Sequence, residues 1–70
     1  MSAMDPATHK RFLEYRDRFT YFGRGGMKRM GPDEFIVADA DHRALEAKGE
    51  ARDDEEEAHF AELAKLLFRD

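Results

Sequence analysis

The sequence predicts an all-α fold: three helices, the last two joined as an antiparallel hairpin. Apolar residues recur at helical spacing in three separate stretches. Each stretch opens on a helix-start signal: Asp5-Pro6, Gly31-Pro32 and Asp53-x-x-Glu56. Gly23 and Gly49 then stand where the first two should stop.

The first helix is expected over residues 6–22. Asp5 suits the cap, and Pro6 suits the first turn, where its missing N–H is no loss. Phe12, Tyr15, Phe19 and Phe22 form a stripe with Leu13 at its edge, while Lys10, Glu14, Asp17 and Arg18 point away. His9 and Arg16 fall near the apolar arc, and Arg16 is expected to lie along aromatic carbon or over a ring. Gly23 is expected to end the helix in the left-handed conformation.

The second helix is expected over 32–48. Asp33 and Glu34 suit its positive end, and Lys48 followed by Gly49 marks its stop. Its apolar residues cover two arcs. Phe35, Ala38, His42 and Leu45 form one; Ile36, Val37, Ala40, Ala44 and Ala47 form the other. Such a helix should sit centrally between two neighbours.

The third helix is expected over 54–69. Asp53 and Glu56 resemble a capping box, with Asp in place of Ser or Thr. Glu55, Glu56 and Glu57 load the first turn, and Lys65 and Arg69 the far end. Phe60, Leu63, Ala64, Leu66, Leu67 and Phe68 make a broad apolar face, with Glu62 and Arg69 opposite it. The short link to the second helix dictates the hairpin.

A competing α+β reading pairs residues 19–22 with 35–37 as a short hairpin, since both are rich in β-formers. Two short strands without a third are marginal in water, so the helical reading is preferred. The expected organisation is a single helical domain over 1–70, with 1–4 disordered and 23–31 a flexible glycine-rich basic loop.

Composition bounds the function. The chain has 70 residues and no cysteine, which excludes disulfides and thiolate metal sites. A core this small supplies roughly 3 to 5 kcal/mol unaided, so self-association is expected. The N-terminus lacks the apolar run of a signal peptide, and no stretch is long and apolar enough to span a membrane. A soluble cytoplasmic protein follows. The bias toward Ala, Arg, Asp and Glu reads as a GC-rich bacterial composition.

Charge is split along the chain, net +4 over residues 1–32 and −8 over 33–70, within an overall −4. This favours head-to-tail attraction or partners of opposite sign.

Four groups of residues carry candidate chemistry. Arg18, Arg24, Lys28 and Arg29, beside Phe19, Tyr21 and Phe22, form an anion or nucleic-acid candidate by phosphate contact and base stacking. Asp39/His42 and Glu56/His59 repeat a carboxylate-x-x-His spacing used in helical metal sites. Sixteen acids in 70 residues make that spacing common by chance, so no metal or other cofactor is assigned. The acidic stretch from Asp33 to Glu57 suits a basic protein surface. The apolar face of the third helix exceeds what one helix covers, so Phe60, Leu63, Leu67 and Phe68 are the candidate partner contacts. Catalysis is not expected: Ser2 lies in the tail, and Thr8 and Thr20 have no evident base.

The expected function is a small non-catalytic interaction or regulatory module, self-associating or docking on a larger protein. RNA or DNA binding through residues 18–32 is the first alternative, and helical metal binding through Asp39/His42 and Glu56/His59 the second.

Overall fold

The structure, a computed structural model, describes residues 4–23, 25 and 28–69. Among them the chain is helical without a strand: α1 Pro6–Phe22, α2 Pro32–Lys48, a 3-10 turn Gly49–Ala51, and α3 Asp54–Leu66. Residues 19–22 and 35–37 are helical, so the β-hairpin alternative does not form. Residues 1–3 and, in the expected loop, Arg24, Gly26 and Met27 lie outside the described residues. Met4 is half-buried against the core.

α2 is the middle element and packs against both α1 and α3. The result is a plate of 32 × 29 × 17 Å. The core is aromatic at its centre. Phe35, wholly buried, meets Phe12 at 5.2 Å and Tyr15 at 5.6 Å between ring centroids. Burying one such side chain contributes about 2 to 3 kcal/mol. Ala38, Leu45, Leu63 and Leu67 complete the cluster. The Tyr15 hydroxyl leaves this core to accept a hydrogen bond from the Met30 N–H at 3.1 Å, fixing the chain just before α2.

α2 departs from its expected pattern. One arc, Phe35, Ala38, His42 and Leu45, is buried as read. The second is turned outward: Ala40, Ala44, Ala47 and Val37 are exposed and Ile36 half-exposed. One face suffices for both neighbours because Asp39, four residues after Phe35, lies within it and is buried.

The helix ends hold further differences. Asp5 stands at the α1 N-cap in extended backbone but makes no side-chain cap bond. Gly23 ends α1 with φ −63°, not left-handed. Its N–H bonds to the Phe19 carbonyl at 2.8 Å, and a Cβ there would sit 2.5 Å from that oxygen. Glycine is required by crowding rather than by backbone sign. Gly49, the stop expected after Lys48, takes φ +54°, a backbone that side chains rarely adopt and glycine does. Asp53 and Glu56 close a true capping box: Asp53 accepts from the Glu56 N–H at 2.8 Å, and Glu56 accepts from the Asp53 N–H at 3.1 Å. Such a cap contributes about 1 kcal/mol.

α3 stops at Leu66, three residues short of its expected end. Phe68 takes φ +58°, which reverses the chain. The Phe68 N–H bonds back to the Lys65 carbonyl at 3.3 Å and the Arg69 N–H to the Ala64 carbonyl at 2.7 Å, the pairing of a Schellman turn. Phenylalanine is costly in that conformation. Its ring compensates by packing on Tyr15 at 5.9 Å, Phe19 at 6.0 Å and Phe22 at 6.4 Å.

Candidate functional site

The turn at Phe68 places Arg69 over α2 instead of in solvent. Its Nη2 donates to Asp39 Oδ1 at 2.7 Å. Arg11 of α1 grips the same carboxylate from the other side, Nε to Oδ1 and Nη2 to Oδ2, both at 3.0 Å. Arg11 Nη2 also donates to the Thr8 hydroxyl at 3.0 Å. Arg43 approaches Oδ2 at 3.9 Å. One carboxylate, only 2% exposed, therefore ties α1, α2 and the tail of α3 together. Burial pushes the Asp39 carboxyl up, but the bonds from Arg11 and Arg69 more than offset this and hold it below its ordinary value.

His42 lies beside this knot, stacked on Phe60 at 4.8 Å. Its Nδ1 faces Arg69 Nη1 at 3.3 Å. A guanidinium only donates, so Nδ1 is the acceptor and the ring proton sits on Nε2. Burial first, and the Arg69 charge second, push the imidazole down and favour its neutral form.

These contacts bear on the metal reading. Asp39 and His42 do come together, yet Arg11 and Arg69 fill the carboxylate, and His42 Nδ1 is directed at a cation. Glu56 and His59 line an open pocket of about 340 Å3 with Asp41 and Lys48. There Glu56 already accepts from the Asp53 N–H and from Lys48. Among the described residues, no group of three or more potential ligand side chains converges.

The apolar face of α3 is used within the chain, contrary to expectation. Leu63 and Leu67 are buried. Phe60 is sandwiched between His42 and the Arg52 guanidinium, 4.2 Å from its ring centroid, and Phe68 is enclosed by the aromatics of α1. The tail and Arg52 supply the cover that a second protein was expected to give.

What remains exposed lies elsewhere. The end of α1 meets the tail of α3 through Phe22 and Phe68, while α2 begins beside the middle of α1, where the Met30 N–H bonds to the Tyr15 hydroxyl. Four of the five exposed large apolar side chains among the described residues belong to these segments: Tyr21 (75% exposed), Phe22 (63%), Val37 (62%) and Leu66 (42%). The fifth, Leu13, is midway along α1. An open groove of about 520 Å3 lies along the first half of α2. Met30, Val37, Ala38 and Leu63 form its floor, and Asp33, Glu34 and Asp41 its rim.

The basic candidates divide. Arg18 is engaged inside the molecule, donating to the Phe68 carbonyl at 3.2 Å. Lys28 and Arg29 are exposed, directly before Met30 of the groove, and Arg24 lies outside the described residues. Thr8 and Thr20 are both structural, Thr20 donating to the Arg16 carbonyl at 3.1 Å. Among the described residues, no helix is long and apolar enough to cross a membrane. The chain matches no family model, no curated protein and no solved structure.

Proposed function

We propose that this chain is a small non-catalytic interaction module of the bacterial cytoplasm that binds protein through the exposed end of α1 and the apolar groove along α2. The exposure of Tyr21 and Phe22 at the end of α1, with the apolar groove floored by Met30, Val37, Ala38 and Leu63, carries the reading. Water-exposed aromatic and branched side chains supply affinity. Lys28 and Arg29, just before Met30, and Glu34 and Asp41, on the groove's rim, supply orientation.

The test compares proteins captured from native lysate by the parent chain and by Tyr21→Ser/Val37→Asp. Both positions are exposed, so the variant should melt as the parent does. The expected result is a partner retained in near-stoichiometric amount by the parent and lost from the variant. Identical capture profiles from both would end the reading.

Nucleic-acid binding is the second reading, because exposed Lys28 and Arg29 follow exposed Tyr21 and Phe22 closely in the chain. The carboxylates on the rim of the groove that begins at Met30 oppose a phosphate backbone. Binding of labelled RNA or DNA that weakens steeply between about 50 and 200 mM salt would promote this reading. No binding at about 50 mM salt would remove it.

A further inference from the structure

We infer that Phe68 and Arg69 form a strap that opens when His42 takes up a proton, baring the aromatic rings it covers while the three helices stay folded. The clasp of the strap is the Arg69 guanidinium, which spans two acceptors on α2. Its Nη2 donates to Asp39 Oδ1 at 2.7 Å, and its Nη1 to His42 Nδ1 at 3.3 Å. The second bond needs an imidazole whose Nδ1 carries no proton. Protonation turns that acceptor into a donor, aimed at a group that only donates.

The charges around His42 favour opening once the ring is cationic. Arg69, from the tail of α3, repels it from 3.3 Å. Asp39 and Glu46, both on α2, attract it. The Asp39 carboxylate, however, is already gripped by Arg11 of α1 and by Arg69, with Arg43 at 3.9 Å. Its pull on one more cation is largely met. α3 presents the Phe60 ring at 4.8 Å, with the Arg52 guanidinium 4.2 Å from that same ring. His42 is only 4% exposed, so little water reaches an added charge. Opening withdraws the nearest cation and admits water together.

The closed strap is strained and lightly held. Phe68 sits at φ +58°, a conformation that a non-glycine residue leaves gladly once its contacts are lost. Its backbone is held by the Phe68 and Arg69 N–H bonds into the last turn of α3 and by Arg18 on the Phe68 carbonyl. Leu67, 1% exposed, stays in the core, so the hinge falls at Phe68. The frame does not need the strap: Arg11 keeps its two-point grip on Asp39, and Phe35 keeps Phe12. Opening uncovers Tyr15, Phe19 and Phe22, on which the Phe68 ring packs, and the Phe35 ring, 6.0 Å from the Arg69 guanidinium.

The direction with pH follows from proton binding. Burial first, then Arg69, holds His42 below its ordinary value of 6.5 while the strap is closed. The open form releases both restraints and binds the proton more readily. Below pH 6.5 its share therefore grows, by up to about tenfold for each unit of pH.

The test is amide hydrogen exchange on the full chain by nuclear magnetic resonance, at about pH 7.5 and 5.5, with and without about 1 M urea. The reporter is the Arg69 N–H, which bonds to the Ala64 carbonyl. Ala38 and Leu45, buried on α2, report opening of the whole fold. Exchange is expressed as protection, which removes the intrinsic effect of pH on the reaction. His42→Gln and His42→Leu both lack a titrating group, and either one that folds serves as the control.

In the parent, Arg69 protection should fall by roughly five- to tenfold between the two pH values. It should respond little to urea, because a strap exposes little surface, whereas Ala38 and Leu45 should lose protection in urea. In the control variant, Arg69 protection should stay within about twofold across the same range. Parental protection that ignores pH overturns the inference. So does a urea dependence equal to that of Ala38 and Leu45, which makes the event global unfolding. A control variant as pH-sensitive as the parent assigns the proton to a group other than His42 and overturns it too.

Discussion

Arg69 and Asp39, thirty positions apart, meet at 2.7 Å in the middle of the fold. The tail following α3 therefore acts as a strap across α2, and Arg11 holds the same carboxylate from α1. The knot fixes how three helices lie together, and its parts fail unequally. Asp39 is buried, whereas Arg11 and Arg69 keep some access to water.

Asp39→Ala should therefore be severe. It leaves two guanidiniums partly desolvated and unpaired, at a cost of about 3 kcal/mol. For a domain worth roughly 3 to 5 kcal/mol this abolishes or nearly abolishes a cooperative thermal transition. Arg69→Met alone should be milder, because Arg11 still forks the carboxylate. Replacing all three, Asp39→Leu with Arg11→Leu and Arg69→Met, should recover much of the loss. A melting temperature within a few degrees of the parent for Asp39→Ala alone would show that the knot contributes little.

Phe68 makes a comparison of two truncations informative. Its backbone lies at φ +58°, where a β-carbon is strained and glycine is not. Its ring packs against Tyr15, Phe19 and Phe22. Phe68→Ala loses the ring and keeps the strain; Phe68→Gly loses the ring and relieves the strain. Both should be less stable than the parent. The glycine variant should nevertheless exceed the alanine variant by about 1 kcal/mol, the cost of a left-handed non-glycine residue. Urea denaturation of the pair measures the difference, and an alanine variant as stable as the glycine one would contradict the turn.

The helices were legible because their signals are local. Proline at each of the first two starts, the Asp53–Glu56 box, and glycine after Phe22 and after Lys48 each act within a turn, and they set three starts and two stops as read. The end of α3 was not legible, because no glycine or proline marks it. Phe68 reverses the chain only because an aromatic pocket built by α1 rewards it. Once α3 stops at Leu66, Arg69 leaves helical register, and its expected place opposite the apolar face is lost. The knot left one trace in the sequence. Asp39 lies four residues after Phe35 on an otherwise apolar arc, so a carboxylate had to be buried there and a cation had to meet it. Which cation depends on long-range packing, and spacing alone is silent on that. The exposure of Phe22 was hidden for the same reason. Phe22 reads as part of the α1 stripe until its position beyond the end of the core is known.

Acid should destabilise the fold in two steps. His42 is held low, first by burial and then by the charge of Arg69, against smaller opposing pulls from Glu46 and Asp39. A lowered value means the folded chain binds fewer protons than the unfolded one below the ordinary value of 6.5. Stability from this group is intact above that pH and declines as pH falls beneath it. Asp39 is also lowered, so its contribution persists above the ordinary value of 3.8 and is lost as pH drops below that. The melting temperature should fall first between about pH 6.5 and 5, and again below about pH 4. His42→Gln keeps an acceptor for Arg69 but cannot take up the proton, and it should erase the first step alone. A first step of unchanged size in that variant would assign it to another group.

Arg52 and Lys48 bring the ion pairs of the hairpin to a sharp comparison. Lys48 pairs with Glu56, and Arg52 with Glu57 at 2.7 Å. By charge alone the two look alike, and exposed pairs are worth roughly 0 to 1 kcal/mol. Arg52 does more. Its Nη1 donates to the Leu45 carbonyl at 2.8 Å, satisfying an acceptor in the last turn of α2, and its guanidinium covers the Phe60 ring at 4.2 Å. Removing it uncovers an aromatic ring and a carbonyl together. Arg52→Ala should therefore cost about 2 kcal/mol, while Lys48→Ala should stay within about 0.5 kcal/mol. Adding about 0.5 M salt should close little of that gap, because ring cover and a carbonyl bond are screened far less than a surface ion pair. Equal losses in the two variants, or a gap that vanishes in salt, would reduce Arg52 to an ordinary surface charge and leave Phe60 in need of another cover.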